Sequence, residues 1–593
     1  MLFSRLAEYF DRIDKTTLRN EKTVILAEIF KAASVDEIDK LVYLALGGLR
    51  PQFDRLEFNM AEKMILRAIG ATSEEYQKIG DLGELVATKV RGERSEARGL
   101  NVIEVYALLE KIARENGAGS QDRKVGGLAS LIAKVDGMSA RYIVRMVAGK
   151  LRLGFSEKTI IDALSYTQNG TKEFSEVLEQ AYQVRPDPGV LAKEVGEKGI
   201  ETALRSISVT MGTPIVPALA QRLKTAKEMI EKMGKVYCEP KYDGTRVQIH
   251  FSRKENNYTI KPLDHLNQGL FEEEKPKFWV RTFTRNLDES SAMFPELQNI
   301  ADQIKADEVI LDSEAVGYDP KTDKLVPFQL TITRKRKHGV AETASSVPLR
   351  FFVFDIMYLD GKSLIQLPLK ERRKILLEAV GSLPEGVLVV DEFVETDDPD
   401  VLRQYHKEQL AAGLEGALVK QIDGQYMPGR TGFNWVKFKE AEDSRAKLSD
   451  TIDAVIMGYD LGKGKRQKFG VGAFLIGIRD GDKILTLAKV GTGISDEQFG
   501  ELKERLDRYT IAPLDHIKYG YVVPKTLEPD VWVAPQIVVE VAADEITQSP
   551  THSAGYALRF PRLVKFRDDK SVEQITELDE VIKMFEMQRL GSE

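Results

Sequence analysis

The 593-residue sequence carries a single cysteine, Cys238, and only six histidines. One cysteine excludes an internal disulfide and any multi-cysteine zinc site. So few histidines also weaken any histidine-rich metal centre. Cys238 has no neighbouring histidine to draw off its proton, so it reads as a small apolar residue on a strand rather than a nucleophile. Long hydrophobic runs are missing as well, and no stretch approaches the roughly 20 apolar residues of a membrane span. The N-terminus, Met1-Leu2-Phe3-Ser4-Arg5-Leu6, meets Glu8 and Asp11 too early for a signal peptide, which points to a cytoplasmic protein with no membrane association. Nor is there an excess of one charge. The net charge is −7 in a chain with 30% charged residues. That average neither announces nor forbids a basic face for nucleic acid.

With 42% hydrophobic residues and this length, the chain can bury several cores. Residues 1 to about 205 read as helical: Leu2, Leu6, Phe10 and Ile13 recur at steps of three and four. Tyr142, Val144, Met146 and Val147 lie on a helix with Arg141, Arg145 and Lys150, after which Gly154 is expected as a C-cap and Ser156 as an N-cap. Pro214 and Pro217 mark a linker. Short β-rich runs follow at Val236–Glu239, Val247–His250, Val309–Asp312 and Phe351–Phe354, with a helix near Leu369–Ala379. The last region is mostly strands, with a hairpin at Asp480-Gly481 and a closing helix through Leu578, Val581, Ile582 and Phe585. Five or so strands in that length suit a small barrel, for which an oligonucleotide-binding (OB) fold is the natural candidate.

Lys241 sits at the end of an apolar strand and is followed by Tyr242-Asp243-Gly244-Thr245-Arg246. A lysine attacks phosphorus only as the neutral amine, so its reference pKa of roughly 10.4 must fall through burial or nearby positive charge. Gly244 lets the backbone approach a ligand, and Arg246 returns on the next strand toward the same side. Strand end, glycine and arginine together make a pocket suited to a nucleotide phosphate. A lone Lys-x-Asp-Gly is a weak signal, since any hairpin can contain one.

The longer pattern Lys-x-Asp-Gly-x-Arg resembles the signature of the covalent nucleotidyltransferases: DNA ligases, RNA ligases and mRNA capping enzymes. Glu239-Pro240 before it and Val247-Gln248-Ile249-His250 after it resemble the ATP-dependent DNA ligases of archaea and eukaryotes. Further stretches match that superfamily in order: Phe283-Thr284-Arg285-Asn286, Asp312-Ser313-Glu314-Ala315, Phe354-Asp355-Ile356-Met357-Tyr358-Leu359, Glu415 to Lys420, Trp435-Val436-Lys437-Phe438-Lys439 and Arg567-Asp568-Asp569-Lys570. Leu558-Arg559-Phe560-Pro561-Arg562 is typical of the same ligases, and Lys150 to Glu157 resembles their N-terminal DNA-binding domain. Any one of these could be an ordinary core or surface feature; their joint order is what carries the resemblance.

The resemblance implies an all-α DNA-binding domain over 1–205, an α+β nucleotidyltransferase (adenylation) domain over 206–442 and a C-terminal β-barrel of OB-fold type over 443–593. It implies Lys241 as the nucleophile that becomes lysyl-AMP. Glu239, Arg246, Arg285, Glu314, Phe354, Arg430, Lys437, Lys439, Arg567 and Lys570 are then the nucleotide contacts, with Glu314 and Glu415 holding Mg²⁺. Related ligases often carry two adjacent basic residues where this chain has Arg430-Thr431, and Arg430 is taken for that role. ATP is the implied donor, because NAD-dependent ligases carry a four-cysteine zinc element that one cysteine cannot supply. The implied substrate is nicked duplex DNA, in replication, repair and recombination, with a monomeric enzyme and a sliding clamp as a candidate partner. Residues 252–278 look like an inserted hairpin or loop, and Lys463 to Lys468 like a basic barrel loop.

Overall fold

The first helix, Phe3–Asp14, buries Phe3, Leu6, Ala7, Phe10 and Ile13, one stripe at helical spacing. Phe10 meets Tyr142 edge-on at 5.5 Å, so the stripe faces the helix Gly137–Val147 across a shared core. Helices continue to Ile200–Ser206. Asn101 and Glu104 form a reciprocal capping box at the helix Val102–Arg114, and Asp136 caps Gly137–Val147, each worth about 1 kcal/mol. Phe3 and Phe10 are only 1% and 0% exposed.

One local expectation fails here and another holds in position only. The helix Gly137–Val147 ends before Gly154, and Gly149 takes the left-handed position that follows it. Ser156 does stand at the N-cap of Glu157–Asn169, but its side chain makes no capping bond. Arg141 and Arg145 are also not a free basic face. Arg141 pairs with Glu84 and lies 3.5 Å from Asp11, while Arg145 bonds Asp14 and Asp81 at 3.0 and 3.1 Å. They staple three helices together.

The computed structural model describes the chain except residues 91–98, 152, 224, 255–277, 327–346, 384–385, 430–431, 439–450, 463–468, 493, 495 and 591–593. It falls into two compact units, Met1–Phe438 and Lys439–Glu593. In the first unit, the strands after the helices are β1 (Gln221–Leu223), β2 (Val236–Pro240), β3 (Thr245–Ser252), β4 (Trp279–Thr284), β5 (Glu308–Gly317), β6 (Leu349–Leu359), β7 (Lys362–Ser363), β8 (Leu388–Val390), β9 (Val394–Thr396), β10 (Ala417–Gln421) and β11 (Trp435–Phe438). Among the described residues they form two sheets, one in the order β1-β11-β10-β2-β9 and one in the order β4-β3-β5-β6-β7 with β8 beside β6.

The proline-marked linker is strapped to the second sheet rather than loose. Gln248 accepts from the Ile215 amide at 2.8 Å and donates back to its carbonyl at 3.1 Å. His250 accepts from the Gly212 amide at 3.1 Å, and Arg281 donates to the Gly212 carbonyl at 2.7 Å. Arg281 also donates to the Phe53 carbonyl at 3.1 Å, tying the helical region to β4.

The second unit is a mostly antiparallel sheet in which β12 (Ile452–Leu461), β13 (Val471–Asp480) and β14 (Lys483–Val490) are consecutive neighbours. The expected hairpin is there: Asp480 pairs with Lys483, and Gly481 adopts φ +59°. The expected closing helix, Leu578–Leu590, buries Val581 completely against this sheet's core.

Candidate active site

Strand alternation builds the site. In the first sheet Cys238, Ala417, Val419, Val436 and Phe438 fill an apolar layer. Cys238 is fully buried and its thiol is pushed up to about 12, mainly by burial, so it is the inert strand residue expected. The intervening residues Glu239, Lys241, Lys420, Trp435 and Lys437 belong to the opposite face, with Glu239, Leu418 and Lys437 aligned across β2, β10 and β11. In the second sheet Val247, Ile249, Leu311 and Val353 are core. Arg246, Asp312, Glu314 and Phe352 alternate with them, Arg246 paired with Glu314 and Glu314 with Phe352. The two polar faces meet where Trp435 packs edge-on against Phe354 at 5.9 Å and Lys420 donates to the Phe354 carbonyl at 3.2 Å. Phe354 falls at a register shift between β5 and β6, the kind of bulge that re-aims a side chain.

Lys241 is held by its main chain. Its amide donates to the Gly416 carbonyl at 2.9 Å, and its carbonyl accepts from the Glu415 amide at 3.0 Å. Its ammonium forms an ion pair with the Glu415 carboxylate, both side chains being partly exposed. Gly416 adopts φ +112°, open to glycine but strained for other residues.

Next to Lys241, Arg246 is committed to a buried network. Its Nε and Nη2 donate to the two Asp312 oxygens at 3.0 and 2.6 Å, and its Nη1 donates to the Ala218 carbonyl at 2.5 Å. Tyr426 adds a bond to Asp312 at 2.8 Å. Glu314 lies beneath Gly244, where an added Cβ would stand 2.9 Å from its Cγ and 2.5 Å from the Ala315 carbonyl. Gly244 is therefore required by strand packing, not by a left-handed turn. Burial raises the Glu314 carboxyl to about 7, against the opposing pull of Arg246 and then Lys241.

Deeper between the two sheets, Glu239 and Lys420 form an ion pair with side-chain exposures of 1% and 0%. Apart from that pair, the Glu239 oxygens have no hydrogen-bond partner among the described residues. The Lys420 ammonium stands 4.6 Å from the Phe354 ring centre and 4.4 Å from that of Trp435. Asp391 is buried nearby, its carboxyl pushed well above the ordinary range by burial and then by Glu239. Tyr242 stacks on Phe352 at 4.1 Å.

The structure thus gathers Lys241, Glu239, Arg246, Glu314, Phe354 and Glu415 about the seam between the two sheets. Arg285 is exposed just past β4, beyond the Thr284–Val247 pair. Arg430, Lys439 and the basic loop 463–468 lie outside the described residues. In the second unit Arg567 bonds Asp453 at 2.9 Å and Asp569 at 2.8 Å, and Lys570 bonds Asp453 at 2.5 Å. Phe560 is 59% exposed with φ +52°, between Arg559 and Arg562, which are paired to Glu545 and Asp544. In the sequence Asp312 and Lys420 stand only as members of matched stretches, with no role given to them. Tyr426 and Asp391 are missed there altogether, and those two needed the fold.

Comparison with known proteins shows the family. Residues 2–165 match the family model of the DNA ligase N terminus, 217–273 and 271–439 that of the ATP dependent DNA ligase domain, and 467–570 that of the ATP dependent DNA ligase C terminal region. A "Probable DNA ligase" of Dictyoglomus thermophilum is 40% identical, the match covering 99% of this chain and 98% of that protein. A "DNA ligase" of Sulfolobus acidocaldarius is 35% identical, with the same two coverages. A solved structure titled "Pmar-Lig_Pre." shares the fold with TM-score 0.53 at 17% identity, over 95% of this chain and 99% of that one. The chain belongs to the ATP-dependent DNA ligases and is a DNA ligase (ATP) enzyme.

Proposed function

We propose that the chain seals nicks in duplex DNA through a lysyl-AMP intermediate on Lys241 and a DNA-adenylate. The observation that carries this is the clamping of Lys241 by Glu415 and Gly416, on the side of the sheets that also carries Glu239, Phe354, Arg246 and Glu314. The Lys241 amine attacks the α-phosphorus of ATP: the N–P bond forms, the P–O bond breaks, and pyrophosphate leaves with the electron pair. AMP then passes to the 5′-phosphate of the nick, releasing Lys241. The 3′-hydroxyl displaces AMP, closing the 3′–5′ phosphodiester. Arg246, fixed by Asp312, presents an oriented positive charge to the nucleotide. Glu239 supplies carboxylate acceptors for the adenine amino group, and Phe354 an aromatic wall.

Two carboxylates, Glu314 and Glu415, converge on Lys241, the donor set Mg²⁺ takes when phosphates and water complete its shell. Bound there, Mg²⁺ would neutralise phosphate charge. Lys437, Lys439, Arg430 and Arg285 belong to the phosphate-binding set in this reading, and Arg567 and Lys570 to the pyrophosphate. The boundaries 1–205, 206–442 and 443–593, the OB type of the last region, and monomeric, cytoplasmic action are parts of the same proposal. Exposed Phe560, held in left-handed backbone between two arginines, suits contact with a DNA groove. Incubation with α-labelled ATP, followed by nicked DNA and then nicked RNA, tests the reading. A label on Lys241 chased into sealed DNA is expected; sealing of RNA alone, or no label, would sink it.

A further inference from the structure

We propose that His406, on the helix Pro399–Ala411 and outside every motif above, is a positioning residue for adenylate transfer that fixes the turn holding Glu415 against Lys241. The inference rests on the proposed roles of Lys241 and Glu415. Lys241 uses both of its main-chain groups on that turn, one on Gly416 and one on Glu415. The next amide, that of Ala417, opens β10 opposite Pro240. Ala417 is fully buried, and its N–H donates to His406 Nδ1 at 3.1 Å. A buried amide demands an acceptor, so this bond sets the path of the turn.

The ring also acts as a wedge. A Cβ on Gly416 would stand 2.3 Å from His406 Cε1 and 2.6 Å from its Nδ1. Phe438 lies against the ring with centroids 4.4 Å apart. Leu402, one turn earlier on the helix, is fully buried in the apolar layer behind β10, which anchors the helix. The ring therefore has no room to withdraw. Accepting at Nδ1 requires a lone pair there, so in the neutral ring the proton sits on Nε2. His406 acts through the Gly416–Ala417 peptide: displacing that peptide swings the Glu415 side chain from the Lys241 amine.

Two substitutions separate positioning from bulk. His406→Asn keeps an acceptor near the place of Nδ1, whereas His406→Leu keeps volume and removes the acceptor. In single-turnover self-adenylation, the leucine variant is expected to lose about 10- to 100-fold in rate, with ATP half-saturation unchanged. Hydrogen exchange across Glu415–Ala417 should accelerate in the same variant. The asparagine variant should restore both readouts. A leucine variant as fast as the parent overturns the proposal, and so does an asparagine variant as slow as leucine. Glu415→Gln, run alongside, isolates the underlying reading. If it adenylates normally, the role given to Glu415 is wrong whatever His406 does; if it is defective while His406→Leu is not, only the positioning claim falls.

Discussion

Glu415 is bound to Lys241 twice: its amide donates to the Lys241 carbonyl at 3.0 Å, and its carboxylate meets the Lys241 ammonium. The backbone bond fixes where the ammonium can be, and the charge pair holds it there until substrate arrives. Removing the side chain leaves the backbone clamp intact. Lys241→Ala is therefore expected to abolish covalent labelling by ATP while nicked DNA still binds. Labelled protein from that variant would mean another residue is the nucleophile.

Gly244 makes a sharper structural test than its place in the motif suggests. A methyl group there meets a backbone carbonyl at 2.5 Å and the Glu314 side chain at 2.9 Å. The carbonyl belongs to a paired strand and cannot yield, so the backbone at residue 244 must shift and the packing that holds Glu314 beneath it is disturbed. Gly244→Ala should fold, yet lose about tenfold or more in self-adenylation. A variant adenylating at the parent rate would show that the position of Glu314 does not matter.

The buried Glu239–Lys420 pair predicts non-additivity. Either Glu239→Gln or Lys420→Met alone strands a charge with almost no solvent, a loss of about 3–5 kcal/mol. The double variant removes both charges and should recover most of that stability in denaturant titration, while remaining poor at using ATP. Additive losses would mean that the two side chains do not depend on each other.

How much of this was readable in the sequence follows from what each residue depends on. The helical first region and the β-runs at Val247–His250 and Val309–Asp312 were legible because side-chain periodicity is local. Lys241 was legible because its neighbours are chemically specific. Gln248 and His250 were visible as residues but not as anchors, because their partners Ile215 and Gly212 lie in a stretch that reads only as a linker. His406 gave no signal at all, since its acceptor role arises from a helix packing behind β10. The bonding of Arg567 and Lys570 to Asp453, more than a hundred residues earlier, was likewise beyond any local pattern.

Arg567 and Lys570 share that one carboxylate, so each has a tether in the second unit. If their charge serves the departing pyrophosphate, only the first chemical step should need them. Arg567→Ala is expected to slow self-adenylation about tenfold or more and to leave sealing of pre-adenylated nicked DNA near the parent rate. Equal damage to both reactions would remove the pyrophosphate role.

His250 sets an acid limit on the strap between the helical region and the sheet. Its ring is fully buried, accepts from the Gly212 amide and lies 3.0 Å from Gln248 Oε1. Burial, and then Arg281, lowers its pKa from the ordinary 6.5 to about 3. The unfolded chain takes up the proton below 6.5, whereas the folded chain does not until about 3. Stability from this group is therefore complete above pH 6.5 and drains away as pH falls toward 3. The slope is about 1.4 kcal/mol per pH unit. His250→Asn retains an acceptor for Gly212 without a group that titrates in this window. Its unfolding free energy, measured from pH 7 to pH 4, should fall less steeply than the parent's by about one proton's worth. Parallel curves would show that the ring is already protonated in the fold, and that the Gly212 bond is not what holds the strap.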